Sequence, residues 1–288
     1  MSGSTQIKPG QVKEITAFSN PVIKDIRSLA LKKNRDASSR FVAEGLKLLT
    51  DALDGGWQVH IVIYARKMAG ESRIQDAASR ARVKGALIIE TSEKLLAGIT
   101  RRDNPQMVIS VVGQRLAPVR EITPAPSGLW IALDRVRDPG NLGTIIRTAD
   151  CAGAEGILLV GECTDPWGTE AVRASMGSIF HVPIAQIDEE AFITWRKTWP
   201  GVVVGTHLDG SEDYRALDLK EEPTLLLMGN EQQGLPDSLT QLCDRLCRIP
   251  MAGEADSLNL AVATGIMTFE LRRKFLKIGG PDPEGAVD

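Results

Sequence analysis

The sequence predicts two α/β modules in tandem, the second built on a parallel sheet with helices on both faces. Three observations carry that reading. Short apolar segments alternate with amphipathic ones, and in the second half the apolar segments are nearly continuous, as in strands buried on both faces. Pro118, Pro124 and Pro126 punctuate a stretch that reads as a linker between the halves. The charge divides at the same place: residues 1–126 carry 20 Lys+Arg against 12 Asp+Glu, and residues 127–288 carry 14 against 25. The net charge of −3 therefore conceals a basic module and an acidic one. A basic module suits a polyanion, because phosphate contacts supply most non-specific affinity for nucleic acid. On charge alone, a solvated face explains it equally well.

In chain order, Pro21 to Lys33 and Ser39 to Leu53 read as amphipathic helices, Val59 to Tyr64 as a buried strand and Ser72 to Val83 as a helix with a polar face. Ala86 to Ile89 and Met107 to Val112 read as further strands. After the linker, strands are expected at Leu129 to Leu133, Ile157 to Val160, Val202 to Val204, Leu225 to Met228 and Leu246 to Ile249, with helices between them. Residues 279–288, rich in Gly, Pro and acid, read as a frayed tail. With 288 residues, 43% of them hydrophobic, the chain can fill two modest cores, which excludes disorder for most of it. No apolar run approaches the roughly 20 residues of a membrane span, and residues 1–11 lack signal or transit features, so a cytoplasmic setting is expected. Cys151, Cys163, Cys243 and Cys247 form no CxxC pair and only three histidines accompany them, so no metal is expected and the thiols read as reduced core residues.

Three segments of the second module follow a strand, where open α/β sheets place ligands. In the first, Asp138-Pro139-Gly140-Asn141 is turn chemistry leading into a helix whose Leu142, Ile145, Ile146 and Ala149 form one apolar stripe. Arg147 projects almost opposite that stripe, toward solvent, a cleft or a partner chain. The second runs from Leu225 through Gly229-Asn230-Glu231 to Gly234, a buried strand ending in a loop whose backbone a ligand can approach closely. The third, Arg248 to Ala261, is a strand, a tight loop and a helix start at which Ser257 can serve as N-cap. Each segment alone has an ordinary structural explanation.

Together, in this order and spacing, they closely resemble the SpoU (TrmH-like) family of RNA 2′-O-ribose methyltransferases, within the SPOUT superfamily. The family's signatures match Asn141 with Arg147, Gly229-Asn230-Glu231 with Gly234, and Ile249-Pro250-Met251 with Ser257-Leu258-Asn259. The first module resembles the family's substrate-binding domain through Asn20-Pro21-Val22-Ile23-Lys24, Lys33, Arg35 and Phe41 to Gly45. The resemblance implies an L30e-like RNA-binding domain at residues 13–117, a linker at 118–127 and a SPOUT methyltransferase domain at 128–278 whose sheet ends in a C-terminal trefoil knot, a rare exception to unknotted topology. It further implies that Gly229, Ile249, Met251 and Leu258, with Thr206 beside them, hold S-adenosylmethionine largely through backbone groups.

The same resemblance assigns Arg147, Asn141, Glu231, Ser257 and Asn259 to catalysis. A ribose hydroxyl is a poor nucleophile, so it must be aligned with the methyl group and helped to lose its proton. Arg147 suits a fixed cation for phosphate and developing alkoxide better than a base, and Asn141 would bind the ribose or orient Arg147. Lys24, Arg27, Lys32, Lys33 and Arg35 are the expected phosphate contacts. The two-domain layout points to a guanosine of large-subunit rRNA, with transfer RNA or a non-catalytic assembly role as alternatives. A homodimer through the second domain is expected, because the last helix has two apolar stripes, Leu258, Val262, Phe269 and Leu276 against Leu260, Met267 and Leu271. Met267 and Leu271 are the positions expected at the dimer contact.

Overall fold

The computed structural model describes residues 8–207, 210, 212–218 and 221–278; the tail read as frayed lies outside them. The chain forms two compact units, one from Met1–Arg115 with Asp165–His181, the other from Leu116–Thr164 with Val182–Asp288.

The first unit opens with β1 (Val12–Glu14), α1 (Pro21–Ser28) and α2 (Lys32–Ser38). Asn20 caps α1 by accepting from the Val22 amide at 2.9 Å, and Pro21 sits in the first turn, where its missing N–H is no loss. The single helix expected over Pro21 to Lys33 is thus two. Arg35 reaches back and donates to the carbonyls of Leu29 (2.8 Å) and Ala30 (3.0 Å), satisfying acceptors that the end of α1 leaves over. The helix expected over Ser39 to Leu53 is also divided. β2 (Arg40–Glu44) turns Phe41 and Ala43 inward at strand period, and Gly45, at φ +107°, leads into α3 (Leu46–Asp54) with a backbone that favours glycine. β3 (Val59–Ala65), α4 (Ser72–Val83), β4 (Leu87–Thr91), α5 (Glu93–Thr100) and β5 (Val108–Gly113) complete the set. Their sheet runs β1-β4-β3-β5-β2, parallel from β1 to β3 and antiparallel across β3, β5 and β2. β1, with three exposed residues, and the short α5 carry too little pattern for the sequence to predict them.

The second unit is built from β6 (Leu129–Asp134), α6 (Pro139–Cys151) and β7 (Gly156–Val160). Next comes α7 (Thr169–Ala174), which belongs to the first unit. The chain then returns with β8 (Ile184–Ile187), α8 (Glu189–Arg196), β9 (Val202–Thr206), β10 (Glu212–Asp213), β11 (Thr224–Met228), α9 (Asp237–Thr240), β12 (Arg245–Arg248) and α10 (Leu260–Arg272). The sheet order is β10-β12-β9-β11-β6-β7-β8 and every pairing is parallel. The stripe read on α6, Leu142, Ile145, Ile146 and Ala149, is fully buried. The proline-rich stretch is pinned to this unit: the Ala117 amide donates to the Ile184 carbonyl at 2.8 Å, and Val119 and Ile122 pack on the core.

Residues 165–181 complete an aromatic cluster in the first unit. Trp167 and Phe180 join Phe41 and Trp57, with Phe41 and Trp167 ring centroids 4.9 Å apart and the Trp57 indole donating to the Phe180 carbonyl at 2.9 Å. Two ion pairs close the seam. Arg35 donates to Asp165 at 2.6 and 2.8 Å, and Arg173 donates to both Glu44 oxygens at 2.9 Å. Among the described residues no helix is long and apolar enough to cross a membrane.

Candidate active site

Because all seven strands are parallel, the ends of β12, β9, β11 and β6 lie side by side along one edge, and the three chemistry-bearing segments leave from it. β11 runs into a tight loop. Asn230 and Gly234 exchange backbone bonds at 3.1 and 2.9 Å, and a side chain at Gly229 would meet Gly234 and Leu235 backbone atoms 2.3 Å away, so only glycine fits. The Asn230 side chain accepts from the amides of Gln232 (2.9 Å) and Gln233 (3.3 Å) and donates to the Arg135 carbonyl at 2.8 Å. Arg135 itself stands at φ +46° just after β6, its guanidinium bidentate on the buried Asp134 carboxylate. The second loop is thereby locked to the first.

A chain of hydrogen bonds then crosses all three segments. Glu231 accepts from the amides of Arg137 and Asp138, both at 3.4 Å, and from Asn141 Nδ2 at 3.2 Å. Asn141 Oδ1 accepts from Asn259 Nδ2 at 2.9 Å. Asn259 Oδ1 caps α10 through the amides of Ala261 (2.9 Å) and Val262 (3.2 Å), while Asp138 caps α6 through the Asn141 amide at 2.6 Å. Asn141 is donor on one side and acceptor on the other, so its orientation is fixed by its neighbours.

Two expected members stand apart from this chain. Ser257 is exposed and donates to Asp256 at 3.1 Å, and the N-cap of α10 is Asn259 instead. Arg147 is exposed and has no bonded partner among the described residues. It lies about 9 Å along α6 from Asn141 and roughly 120° around it, at 1.5 Å and 100° per residue. Thr206, Gly229 and Ile249 fall at the ends of the neighbouring strands β9, β11 and β12, with Met251 half-buried and Leu258 exposed on the loop beyond. Thr206 donates to the Met228 sulfur at 3.5 Å.

In the first unit, Lys24, Arg27, Lys32 and Lys33 are exposed, Lys32 pairing with Asp36 at 2.9 Å and Arg27 standing 5.8 Å from the centre of the Phe18 ring. Arg35 is different. Only 6% exposed, it spends four hydrogen bonds on Asp165, Leu29 and Ala30 and is turned away from any phosphate in solvent. Asp134, Arg135 and the loop-locking bonds of Asn230 are functional features that the sequence alone does not single out. The Gly-Asn-Glu run signals Asn230, but nothing local signals the inward turn of Arg135. Of the cysteines, Cys151 is exposed, contrary to the core reading, whereas burial pushes the thiols of Cys163 and Cys247 up to about 11 and that of Cys243 to about 12.

The sheet and its loop cluster define a two-unit α/β protein with its site at the strand ends. The chain belongs to the SpoU rRNA methylase family, whose model matches residues 128–269, preceded by a match to the MRM3-like substrate binding domain over residues 20–110. It is 30% identical over 264 residues to the 23S rRNA (guanosine(2553)-2′-O)-methyltransferase RlmP of Bacillus subtilis, covering 91% of this chain and all of that protein. It is 31% identical to the 23S rRNA (uridine(2479)-2′-O)-methyltransferase of Streptomyces viridochromogenes, covering 85% of this chain and 87% of that one. The crystal structure of an AdoMet-bound rRNA methyltransferase from Sinorhizobium meliloti superposes with a TM-score of 0.88 at 54% identity, over 93% of this chain and all of that one.

Proposed function

We propose that this chain transfers the methyl group of S-adenosylmethionine to the 2′-hydroxyl of a ribose in large-subunit rRNA, with guanosine the favoured nucleoside and the cytoplasm its setting. The observation that carries the reading is the bonded chain Glu231–Asn141–Asn259, which draws three distant segments together at the strand ends. The RlmP and Streptomyces relatives share ribose 2′-O chemistry on 23S rRNA and differ in the base, guanosine in one and uridine in the other. Two further relatives named RlmB are guanosine enzymes, which tips the balance to guanosine.

The strand ends fit the cofactor. Main-chain groups around Gly229, the Thr206 hydroxyl and the apolar Ile249, Met251 and Leu258 offer a nucleoside sulfonium polar edges and apolar walls. Bound there, S-adenosylmethionine supplies an already activated methyl group. Glu231 holds the amides at the start of α6, which fixes Asn141 for the ribose, and Asn259 holds Asn141 from the other side. Ser257, on the same loop as Leu258, adds a hydroxyl near the ribose. Arg147 is the cation that anchors the adjacent phosphate and stabilises developing alkoxide charge. Its distance from Asn141 on the same helix supports a homodimer in which each Arg147 serves the partner's strand ends. The exposed face of α10, with Leu258 38%, Val262 51% and Phe269 46% accessible, supplies the apolar surface for that dimer. The order β12-β9-β11, in which β12 returns past β9 after β11 is laid against β6, supports the trefoil threading. The substrate-binding module is residues 13–117 supplemented by 165–181, and the catalytic module is residues 128–278 without that excursion. Lys24, Arg27, Lys32 and Lys33 remain its phosphate contacts.

Arg147→Ala in the full chain should abolish methyl transfer to unmodified, in vitro-transcribed large-subunit rRNA while calorimetry still shows S-adenosylhomocysteine binding. Arg147→Lys should recover little, because a point charge lacks the guanidinium fork. Undiminished transfer by Arg147→Ala would remove the assignment, and mapping ribose methylation with and without the protein identifies the nucleotide.

A further inference from the structure

The second half of the chain is strongly acidic, yet the RNA reading requires a polyanion to meet its loops, and those loops carry Asp138, Glu231, Glu254 and Asp256. Such a surface accepts phosphate only where cations are left uncommitted. Most arginines of this unit are committed. Arg135, Arg196, Arg215, Arg245 and Arg273 each face a carboxylate at bonding distance, and Arg272 donates to the carbonyls of Ser127 and Ala152 at 2.8 and 3.2 Å. Arg120 stands 3.7 Å from Glu121. Among the described residues, Arg137, Arg147 and Arg248 alone of this unit's arginines have side chains with neither a carboxylate nor a carbonyl partner, and all three are exposed. Among the described residues, the lysines of this unit without an ion pair, Lys197 and Lys277, lie just past α8 and past α10, away from the strand ends.

The placement of two of the three is the telling part. Arg137 sits in the loop between β6 and α6, its main-chain amide held by Glu231 in the same hydrogen-bonded chain that fixes Asn141. Arg248 is the last residue of β12, directly before Ile249. In the sheet, β12 and β6 are separated by β9 and β11, so three inter-strand steps of about 4.8 Å put the two backbones roughly 15 Å apart along the edge that holds the site. That span brackets the strand ends of β9 and β11. Both side chains are long donors on fixed backbones, and neither has a structural task in the protein.

We propose that Arg137 and Arg248 form an RNA-phosphate clamp on the catalytic unit, gripping the backbone on either side of the reacting nucleotide. The clamp rests on the RNA reading above and adds to it a binding site distinct from the basic helices of the first unit. Its recognition is of phosphate, so charge matters more than fork geometry and lysine should serve in either place.

The test uses the full chain and unmodified, in vitro-transcribed large-subunit rRNA. Arg137→Ala and Arg248→Ala should each raise KM for the transcript about five- to tenfold with a smaller change in kcat, and each should lower the slope of log affinity against log salt by about one. The lysine variants should restore most of both. S-adenosylhomocysteine affinity and the thermal midpoint should stay at wild-type values, which separates lost phosphate contact from a distorted loop. Wild-type KM and salt slope in both alanine variants would overturn the clamp while leaving the methyltransferase reading intact. A wild-type chain that neither binds nor methylates the transcript would overturn that reading, and the clamp with it.

Discussion

Arg35 and Lys33 are two residues apart on α2, and their surroundings give them opposite tasks. The Lys33 ammonium is exposed, whereas the Arg35 guanidinium is buried between Asp165 and the Leu29 and Ala30 carbonyls just past α1. Removing one partner of a buried pair leaves the other charge uncompensated, a loss of roughly 3–5 kcal/mol. Arg35→Ala should therefore lower the urea midpoint strongly, by about 3 kcal/mol of unfolding free energy, and Lys33→Ala should leave it within about 0.5 kcal/mol. If Arg35→Ala unfolds at the wild-type midpoint, the pair is not structural and Arg35 returns to the phosphate contacts. Nothing local distinguishes the two residues in the sequence, since the partner that fixes Arg35 lies 130 positions away. The same holds for the site: Asn141 was legible as a turn residue, but its bonds to Glu231 and Asn259 span 90 and 118 positions and exist only once the strands are ordered.

At the scale of elements, helices that carry their own signals were legible and those cut by distant contacts were not. α6 has its cap, its proline and its apolar stripe in one continuous segment, and α4 likewise falls where the pattern places it. The split between α1 and α2 depends on Arg35, and β2 hides in a segment whose leucines and alanines also fit a helix. α10 is instructive because both of its stripes were legible but not their assignment. Met267 is fully buried and Leu260 nearly so, facing the protein's own core, while Val262 and Phe269 are exposed. The face left open to a partner is therefore the Leu258, Val262 and Phe269 side, and the dimer contact we propose lies there rather than at Met267 and Leu271. Val262→Glu or Phe269→Glu should give a folded monomer by light scattering and lose methyl transfer. Met267→Glu buries an unpaired carboxylate and should unfold the unit instead. A dimer that survives both surface substitutions would exclude this face.

At the scale of the whole chain, the two units are not beads on a string. The polypeptide passes from one to the other at Arg115, at Thr164 and at His181, and the excursion supplies Trp167 and Phe180 to the first unit's aromatic core. Cutting the chain at the linker would strand those side chains without their partners, so function belongs to the intact chain. The proposed assembly adds a second dependence, because Arg147 is remote from its own Asn141 and would work at the partner's strand ends. Mixing two inactive variants tests this directly. In an equimolar, re-equilibrated mixture of Arg147→Ala and Glu231→Ala chains, half the dimers are mixed. Each mixed dimer has one site with an intact Arg147 from one protomer and an intact Glu231 from the other, so about one quarter of wild-type sites should be restored. If Arg147 serves its own protomer, every site in every dimer lacks one of the two residues. Activity that stays at the background of the separate variants, in a mixture shown by mass spectrometry to have exchanged subunits, would place Arg147 at its own protomer's site and end the shared-site reading.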